Sequence, residues 1–477
     1  MHRIGLIWRT VRYLKLIQIW NRVARRFATK RVKRGALALR AFRSHVAWPR
    51  YYRVGEGRVF TFLNETKEIV SATDWNNGAW KKLWLYNLHY FDCLRQEGGC
   101  EGSKALIAQW IKENPLGMGN GWEPYPISLR VVNWIKWALE GNVLDEAMRE
   151  SLCLQVRWLR PRLEYHLLAN HLLANAKALV FAGSFFEGRE AEGWLKQGLA
   201  IYRKELPEQI KEDGVHFELS AMYHSIILED LLDCYKLTGE EMFATYARKM
   251  VGALKALVGP DGTITKFNDA AEGIALKPDT LVAYARSLGV DSPCSELTSF
   301  LRQEAGEYTL IARMGEIGPK YQPGHAHADT YSFELWRGKQ KIVTDTGTDR
   351  YVVDEERKRQ RGTAAHNCVM IDGKNSSEVW GGHRVGRRFD GKGWTRQFVL
   401  TERGLEGVDT IRQKGECSVE IRFHSEGKPD FELWCPFGVR QKEEARICLE
   451  FGKSVLGTCV KQCATVRCPI EVHWRIC

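Results

Sequence analysis

The sequence predicts a fold built of helices first and strands second, and three observations predict it. From about residue 103 to 290 the apolar residues recur at helical spacing, in segments 103–114, 127–140, 145–159, 162–183, 190–205, 217–237, 240–258 and 276–288. After residue 305 the period changes to two, as in Tyr308-Thr-Leu-Ile-Ala-Arg, Tyr331-Ser-Phe-Glu-Leu-Trp, Lys341-Ile-Val-Thr-Asp, Asn367-Cys-Val-Met-Ile and Val419-Glu-Ile-Arg-Phe. The chain has 477 residues, 44% hydrophobic and 27% charged, enough apolar material for more than one core. Disorder, collagen-like repeats and a small disulfide scaffold are excluded. The expected organisation is an N-terminal arm over 1–55, a helical domain over 56–303 and a strand domain over 304–477.

The arm carries the charge. The net charge is +12, yet residues 1–50 hold 14 Lys or Arg and no Asp or Glu, leaving 56 basic against 58 acidic residues in the remainder. Ile7, Val11, Leu14, Ile17 and Trp20 recur at three- and four-residue intervals among Arg9, Arg12, Lys15, Arg22, Arg25 and Arg26, the pattern of a basic amphipathic helix. Two readings are open: residues 1–50 lie on an anionic membrane surface, or the helix packs on the protein with its basic face in solvent. No recognised nucleic-acid module accompanies the charge, so no nucleic acid is expected. The apolar run near the start is broken by Arg9, Arg12 and Lys15, and no segment reaches the length of a membrane span. The expected location is cytoplasmic or peripheral at the inner membrane, with the periplasm as the alternative. The 13 cysteines form no CxxC motif and no regular framework, which reads as reduced thiols; seven fall in the last 61 residues.

Within the helical region, the connections are short and marked by Gly, Pro or Asp, as at Gly259-Pro-Asp-Gly. Three segments place polar groups where apolar ones are expected. In Trp122-Glu-Pro-Tyr125-Pro-Ile-Ser-Leu-Arg130-Val-Val-Asn-Trp134, Arg130 is a candidate partner for a carboxylate, and Trp122 and Tyr125 are candidates to stack on sugar faces. In Glu164-Tyr-His166-Leu-Leu-Ala-Asn170-His171-Leu-Leu-Ala-Asn175, the pairs His166/Asn170 and His171/Asn175 are each four apart and share a helix face. In His216-Phe-Glu218-Leu-Ser220-Ala-Met-Tyr223-His224, residues 216, 220, 223 and 224 form a polar stripe on the expected helix, so that Glu218, Tyr223 and His224 become candidates to line a site.

In the strand region the sharpest motif is Gly324-His325-Ala-His327-Ala-Asp329. If extended, residues 325 and 327 point to the same side. With Asp345 in Val343-Thr-Asp-Thr-Gly and His366 in Thr363-Ala-Ala-His-Asn, they offer the ligands from which a two-histidine, one-carboxylate zinc set could be drawn. Arg384, in the Gly-rich stretch 375–388, is a candidate to bind a polyanion.

Tyr, Asn and His without a Ser or Cys nucleophile or a carboxylate pair suit acid/base chemistry with no covalent step. β-Elimination from a uronate needs a base for a weakly acidic proton, an acid for the alkoxide leaving group, and neutralisation of the neighbouring carboxylate. Tyrosine, whose phenol ordinarily titrates near pH ~10, can donate to the alkoxide or, when deprotonated, act as a base.

These segments, in this order, resemble the heparinase II/III-like polysaccharide lyases, a family that includes alginate lyases. The resemblance runs from about residue 120 to 370, through Trp122-Glu-Pro-Tyr-Pro-Ile-Ser-Leu-Arg, Ala169-Asn-His-Leu-Leu-Ala-Asn, Phe217-Glu-Leu-Ser-Ala-Met-Tyr-His, Gly324-His-Ala-His-Ala-Asp and Thr363-Ala-Ala-His-Asn. It implies an incomplete (α/α) toroid followed by an antiparallel β-sandwich, and a lyase that cleaves a uronic-acid-containing glycan, an acidic polysaccharide, by β-elimination. It further implies that Asn170 and His171 neutralise the carboxylate, that Tyr223 and His325 are the acid/base pair, and that His327, Asp345 and His366 hold a structural divalent metal, zinc by its ligands, in the sandwich. The absence of an export signal is consistent with a role during polysaccharide synthesis or export.

Two other classes compete. One keeps the fold and the glycan cleft without the chemistry, as a binding component of a polysaccharide assembly system. The other is a zinc-dependent hydrolase using His325, His327, Asp345 and His366. Neither the particular uronate nor the number of chains that assemble is legible in the sequence.

Overall fold

The computed structural model describes residues 5, 8–9, 11–29, 31–41, 46–52, 54–380, 382 and 384–477. Ile7 of the expected N-terminal helix lies outside the described residues. By its contacts the chain forms two compact units: a helical unit of Lys15–Glu208 with Glu229–Ala244, and a sheet unit of Met1–Leu14, Gln209–Leu228 and Thr245–Cys477. Among the described residues no helix is long and apolar enough to cross a membrane.

The helical unit opens with α1 (Leu16–Ala24) and a three-stranded antiparallel sheet, β1 (Gly55–Glu56), β2 (Val59–Phe62) and β3 (Glu65–Glu68). There follow α2 (Lys82–Tyr90), α3 (Ser103–Glu113), α4 (Pro124–Leu139), α5 (Glu146–Leu159), α6 (Ala169–Phe185) and α7 (Arg189–Gln209). Their limits have local causes. Pro124 occupies the first turn of α4, where its missing N–H costs no hydrogen bond. Asp145 caps α5 by accepting the Met148 N–H at 2.9 Å. Trp110 packs edge-on against Phe91 and Trp134, with ring centroids 6.3 and 5.7 Å away, at the centre of an aromatic core.

Helix α6 starts later than its apolar run suggests. The expected helix over 162–183 is interrupted because Leu168 and Ala169 turn the chain with φ of 65° and 50°. Asn175 holds the preceding loop, its Oδ1 accepting the Glu164 N–H at 2.8 Å and its Nδ2 donating to Glu164 Oε2 at 3.1 Å. His166 therefore stands outside the helix and shares no helix face with Asn170, contrary to expectation.

Helix α8 (Ala221–Thr238), of which only the residues up to Leu228 belong to the sheet unit, begins after a left-handed Leu219 with φ 57°, so His216 precedes the helix and the expected stripe through residues 216, 220 and 223 is not a helical one. Helices α9 (Glu241–Leu257) and α10 (Pro278–Ser287) follow. Strands β4 (Phe300–Ala305), β5 (Tyr308–Arg313), β6 (Phe333–Arg337) and β7 (Gln340–Val343) then form an antiparallel four-stranded sheet in chain order. After the short α11 (Glu355–Arg361) come β8 (Val369–Ile371), β9 (Trp394–Thr401), β10 (Gly404–Glu426), β11 (Leu433–Trp434), β12 (Val439–Glu450) and β13 (Lys453–Ile476). They make a second antiparallel sheet of six strands centred on the β10–β13 pair. The two sheets share one core: Leu310, Phe333, Leu335 and Val343 of the first meet Val419, Ile421, Phe423 and Trp474 of the second. Phe333 stacks on Trp474 at 5.6 Å. All 13 cysteines are free thiols.

Candidate active site

In the sheet unit the loop before α8, the segment around Asn268 and the His-x-His segment are tied together through backbone. Asn268, at φ 56°, donates from Nδ2 to the carbonyls of Glu218 at 3.0 Å and Leu219 at 3.1 Å, and accepts the His327 N–H on Oδ1 at 2.9 Å. Next to it, the Asp269 N–H donates to the His325 carbonyl at 3.0 Å and the Asp269 carbonyl accepts from Ser220 Oγ at 2.6 Å. The turn before the helix and the histidine segment are thus registered by two consecutive residues that the sequence pattern did not single out.

That register brings Tyr223, His325 and Glu218 together. The Tyr223 ring lies over the His325 imidazole with centroids 3.8 Å apart and planes 13° apart. Glu218 Oε2 accepts the His325 Nδ1–H at 3.1 Å. The Glu218 side chain is buried, so this bond is shielded from water and fixes the tautomer: Nε2 is left as the lone-pair nitrogen. The Tyr223 hydroxyl is 2.8 Å from the Tyr351 hydroxyl. Burial raises the Tyr351 phenol well above its ordinary pKa, keeping it protonated at neutral pH. His224, next to Tyr223, has a different task. It is buried, its Nε2–H donates to the Met250 carbonyl at 2.8 Å and its Nδ1 accepts the His216 N–H at 3.2 Å. The expected substrate contact at His224 is therefore corrected: both ring nitrogens are spent on backbone.

The His325–His327 segment is a turn followed by irregular backbone and not the expected strand, and His327 belongs to a fully buried set of charges. His327 Nε2 is 2.7 Å from Asp269 Oδ1, and Arg357 grips the same carboxylate with Nη1 at 2.6 Å and Nη2 at 2.7 Å. Burial pushes the Asp269 carboxyl up, but Arg357 and His327 outweigh it and hold it far below the usual range. His366 Nδ1 lies 3.0 and 2.9 Å from the two Asp345 oxygens, and Asp345 Oδ2 also accepts from Ser332 Oγ at 2.7 Å. The His327 and His366 rings are 5.4 Å apart. Among the described residues no three His, Cys, Asp or Glu side chains converge as a metal cage. Yet His327 Nδ1 and His366 Nε2 are buried nitrogens with no hydrogen-bond partner, an arrangement that fits a cation better than an apolar interior.

In the helical unit, Asn170 and His171 occupy the first turn of α6. Asn170 is buried and its Oδ1 has no hydrogen-bond partner. His171 is part-exposed, with Nδ1 3.2 Å from Glu164 Oε1, and Tyr125 packs against its ring at 4.6 Å. Arg130 and Trp122 are corrections. The Arg130 guanidinium is fully buried under Trp110, and its nitrogens donate to Gln155 Oε1 at 2.9 Å, the His89 carbonyl at 3.0 Å and the Gly121 carbonyl at 2.7 Å. It is a structural cation whose complete burial keeps it from a substrate. Trp122 is buried, its indole N–H donating to the Asn114 carbonyl at 3.1 Å. Arg384, in the sheet unit, is exposed, with its guanidinium 5.7 Å from the Trp380 ring.

The site's motifs fall inside two regions with recognised relatives. Residues 122–281 match the heparinase II/III N-terminus family, and residues 297–393 the heparinase II/III-like C-terminal family, together more than half of the chain. The chain belongs to the heparinase II/III-like family. It is 28% identical over 251 residues to a heparin-sulfate lyase of Bacteroides stercoris, a match covering 45% of this chain and 37% of that one. It is 24% identical over 311 residues to a heparin-sulfate lyase of Pedobacter heparinus, covering 56% and 47%. The chain thus spans less than half the length of these relatives. Among solved structures, heparinase III superposes with a TM-score of 0.61 at 15% identity, over 87% of this chain and 78% of that one. The heparan sulfate lyase HepC from Pedobacter heparinus gives 0.53 at 15% identity, over 88% and 80%. This heparinase II/III-like chain accordingly has the expected fold class, an incomplete (α/α) toroid followed by an antiparallel β-sandwich. Asn268, Asp269, Tyr351 and Arg357 are functional-site neighbours that the sequence pattern did not reveal. The adjacent Asn268-Asp269 between apolar Phe267 and Ala270 was the one available signal, since Arg357 sits in a charged run that reads as a solvated helix.

Proposed function

We propose that this protein is a polysaccharide lyase that cleaves a uronic-acid-containing glycan by β-elimination, with a glycosaminoglycan of the heparan sulfate class as the first substrate to test. The observation that carries the reading is the Glu218–His325–Tyr223 arrangement: an imidazole with its tautomer set by a buried carboxylate, stacked on a tyrosine. The relatives named as heparin-sulfate lyases support the substrate class.

In the proposed reaction His325 Nε2 takes the proton from the carbon beside the uronate carboxylate. Electrons move into a new carbon–carbon double bond between that carbon and its neighbour as the bond from the neighbouring uronate carbon to the linking oxygen breaks. Tyr223 Oη gives its proton to the departing oxygen, and Tyr351 holds that hydroxyl in position through their mutual hydrogen bond. Positive charge left on the imidazole is stabilised by Glu218. Asn170 and His171 take the role of neutralising the uronate carboxylate as it gains enolate character. Tyr125 supports His171 by packing on its ring, and Arg384 adds positive charge for a polyanion. Trp122, Arg130 and His224 have no part in this scheme.

A divalent cation, zinc by its imidazole donors, fits His327 Nδ1 and His366 Nε2; Asp345, expected as a third ligand, lies on the opposite nitrogen of His366 and would orient that ring instead. Bound there, it would neutralise buried charge and stiffen the segment that presents His325. In this scheme it takes no part in bond breaking. The glycan-binding and hydrolase alternatives differ in their products. Purified protein is incubated with heparan sulfate, alginate, hyaluronan and bacterial exopolysaccharides while the ultraviolet absorbance of the unsaturated uronate is followed. A rise that Tyr223→Phe abolishes is the expected result; new reducing ends without that absorbance point to hydrolysis, and glycan binding without either product points to the non-catalytic reading. A role during polysaccharide synthesis or export follows the same proposal and is tested by deleting the gene and sizing the polymer the cells make.

A further inference from the structure

A surface helix ordinarily turns its apolar stripe inward and its polar face to water. Helix α1 does the reverse. Gln18 and Asn21 are buried, at 1% and 7% exposure, whereas Leu16, Ile19, Trp20 and Val23 are 84%, 45%, 65% and 55% exposed, and Phe27, in the following turn, is 82% exposed. These five apolar residues follow the spacing i, i+3, i+4, i+7 and i+11, one continuous stripe. The orientation is held from the polar side. Asn21 Oδ1 accepts the His166 N–H at 3.1 Å, Arg25 Nη1 reaches the His166 ring at 3.0 Å, and Lys15 pairs with Glu208. Rolling the helix to bury the stripe would break all three.

We propose that α1 docks this protein on an anionic lipid surface, with the Leu16, Ile19, Trp20, Val23 and Phe27 stripe in the headgroup boundary and the flanking arginines on the lipid phosphates. Arg22 and Arg26 are exposed beside the stripe, and residues 1–50 hold 14 basic residues and not one acid, so the charge complement of this face is anionic. Tryptophan and phenylalanine beside cationic side chains are the composition of interfacial helices. At nine residues the helix is about 14 Å long, far short of the ~30 Å hydrocarbon core, so it lies in the plane of the surface. This placement would bring an enzyme for acidic glycans to a membrane, and it stands whether or not the proposed chemistry holds.

The test is co-sedimentation of the full chain with vesicles of phosphatidylcholine containing phosphatidylglycerol, and with phosphatidylcholine alone, at low and raised salt. Binding is expected to the anionic vesicles, weakened by salt. The double variant Arg22→Gln/Arg26→Gln should bind about thirtyfold more weakly, from two surface cations. Trp20→Glu should lose about tenfold or more. Each variant changes only exposed side chains, so an unchanged thermal midpoint shows that the fold is intact. Failure to sediment with anionic vesicles at low salt, or equal binding to neutral ones, overturns the proposal. So does a light-scattering mass that shows a dimer dissolved by Trp20→Glu, which would make the stripe a contact between two copies of this chain.

Discussion

The ring of Tyr223 stacks on the imidazole of His325 at 3.8 Å, while Glu218 holds the far side of that imidazole at 3.1 Å. Tyr223 lies in the first turn of a helix and His325 in a turn between strands about a hundred residues later in the chain. Their contact depends on Asn268 and Asp269, which bond to the backbone on both sides.

Tyr223→Phe keeps the stacked ring and removes only the hydroxyl. The expected outcome is a loss of turnover by about 10²–10⁴-fold with an unchanged melting temperature, because a general acid is deleted while the packing stays. Initial rates of absorbance change on the substrate found in the panel, together with a thermal scan, check it.

Glu218 acts through His325. Glu218→Gln keeps the size of the side chain and removes the charge that sets the tautomer, so kcat is expected to fall about a hundredfold with little change in KM. A fall in KM-controlled binding instead, with kcat preserved, would place Glu218 on the substrate.

Chelation separates a structural cation from a catalytic one. With a structural metal at His327 and His366, prolonged dialysis against a chelator lowers the melting temperature, and activity falls in parallel with it. Immediate inhibition at constant melting temperature is the signature of the hydrolase alternative.

Arg130→Met is predicted to act on stability. It removes a buried cation whose three partners, Gln155 and the His89 and Gly121 carbonyls, are left unsatisfied, at a cost of about 3 kcal/mol or more. Denaturant titration should show the loss, and the KM of whatever protein remains folded should be unchanged.

Stability should fall on mild acidification because several histidines are buried neutral, His89 and His224 among them. His89 donates from Nε2 to the Trp75 carbonyl and accepts the Trp110 indole N–H on Nδ1, both at 2.9 Å. Burial, reinforced by Arg130, pushes its pKa down to about 3; burial pushes His224 down to about 4. In the unfolded chain both titrate near pH ~6.5. Below that the unfolded state binds protons that the folded state refuses, so stability is full above ~6.5 and declines by about 1.4 kcal/mol per pH unit per histidine as pH falls toward the folded values. Denaturant midpoints measured at neutral pH and near pH ~5 check the slope; equal midpoints would contradict it.

From residue 103 onward the sequence by itself determined the succession of helices then strands, and most helix limits; the small sheet β1–β3 and helix α2 ahead of it were not legible. The spacing predicts 103–114 and 145–159, and the helices run Ser103–Glu113 and Glu146–Leu159, because periodic burial and local caps act within a few residues. It also exposed the residues of the candidate site, since Tyr223 and the His-x-His pair interrupt apolar patterns. What it did not show is where those patterns break. Leu168 and Leu219 read as helix interior, and their left-handed turns follow from bonds made by Asn175 and Asn268 to the neighbouring loops. Tertiary structure alone decided that Arg130 is sealed under Trp110 and that Arg357, in a run of charges, reaches inward to Asp269. It also decided that α1 turns its apolar stripe outward. An amphipathic pattern says that a helix has two faces, but which face meets the protein depends on the partners waiting there, and for α1 those partners are the His166 backbone and Glu208.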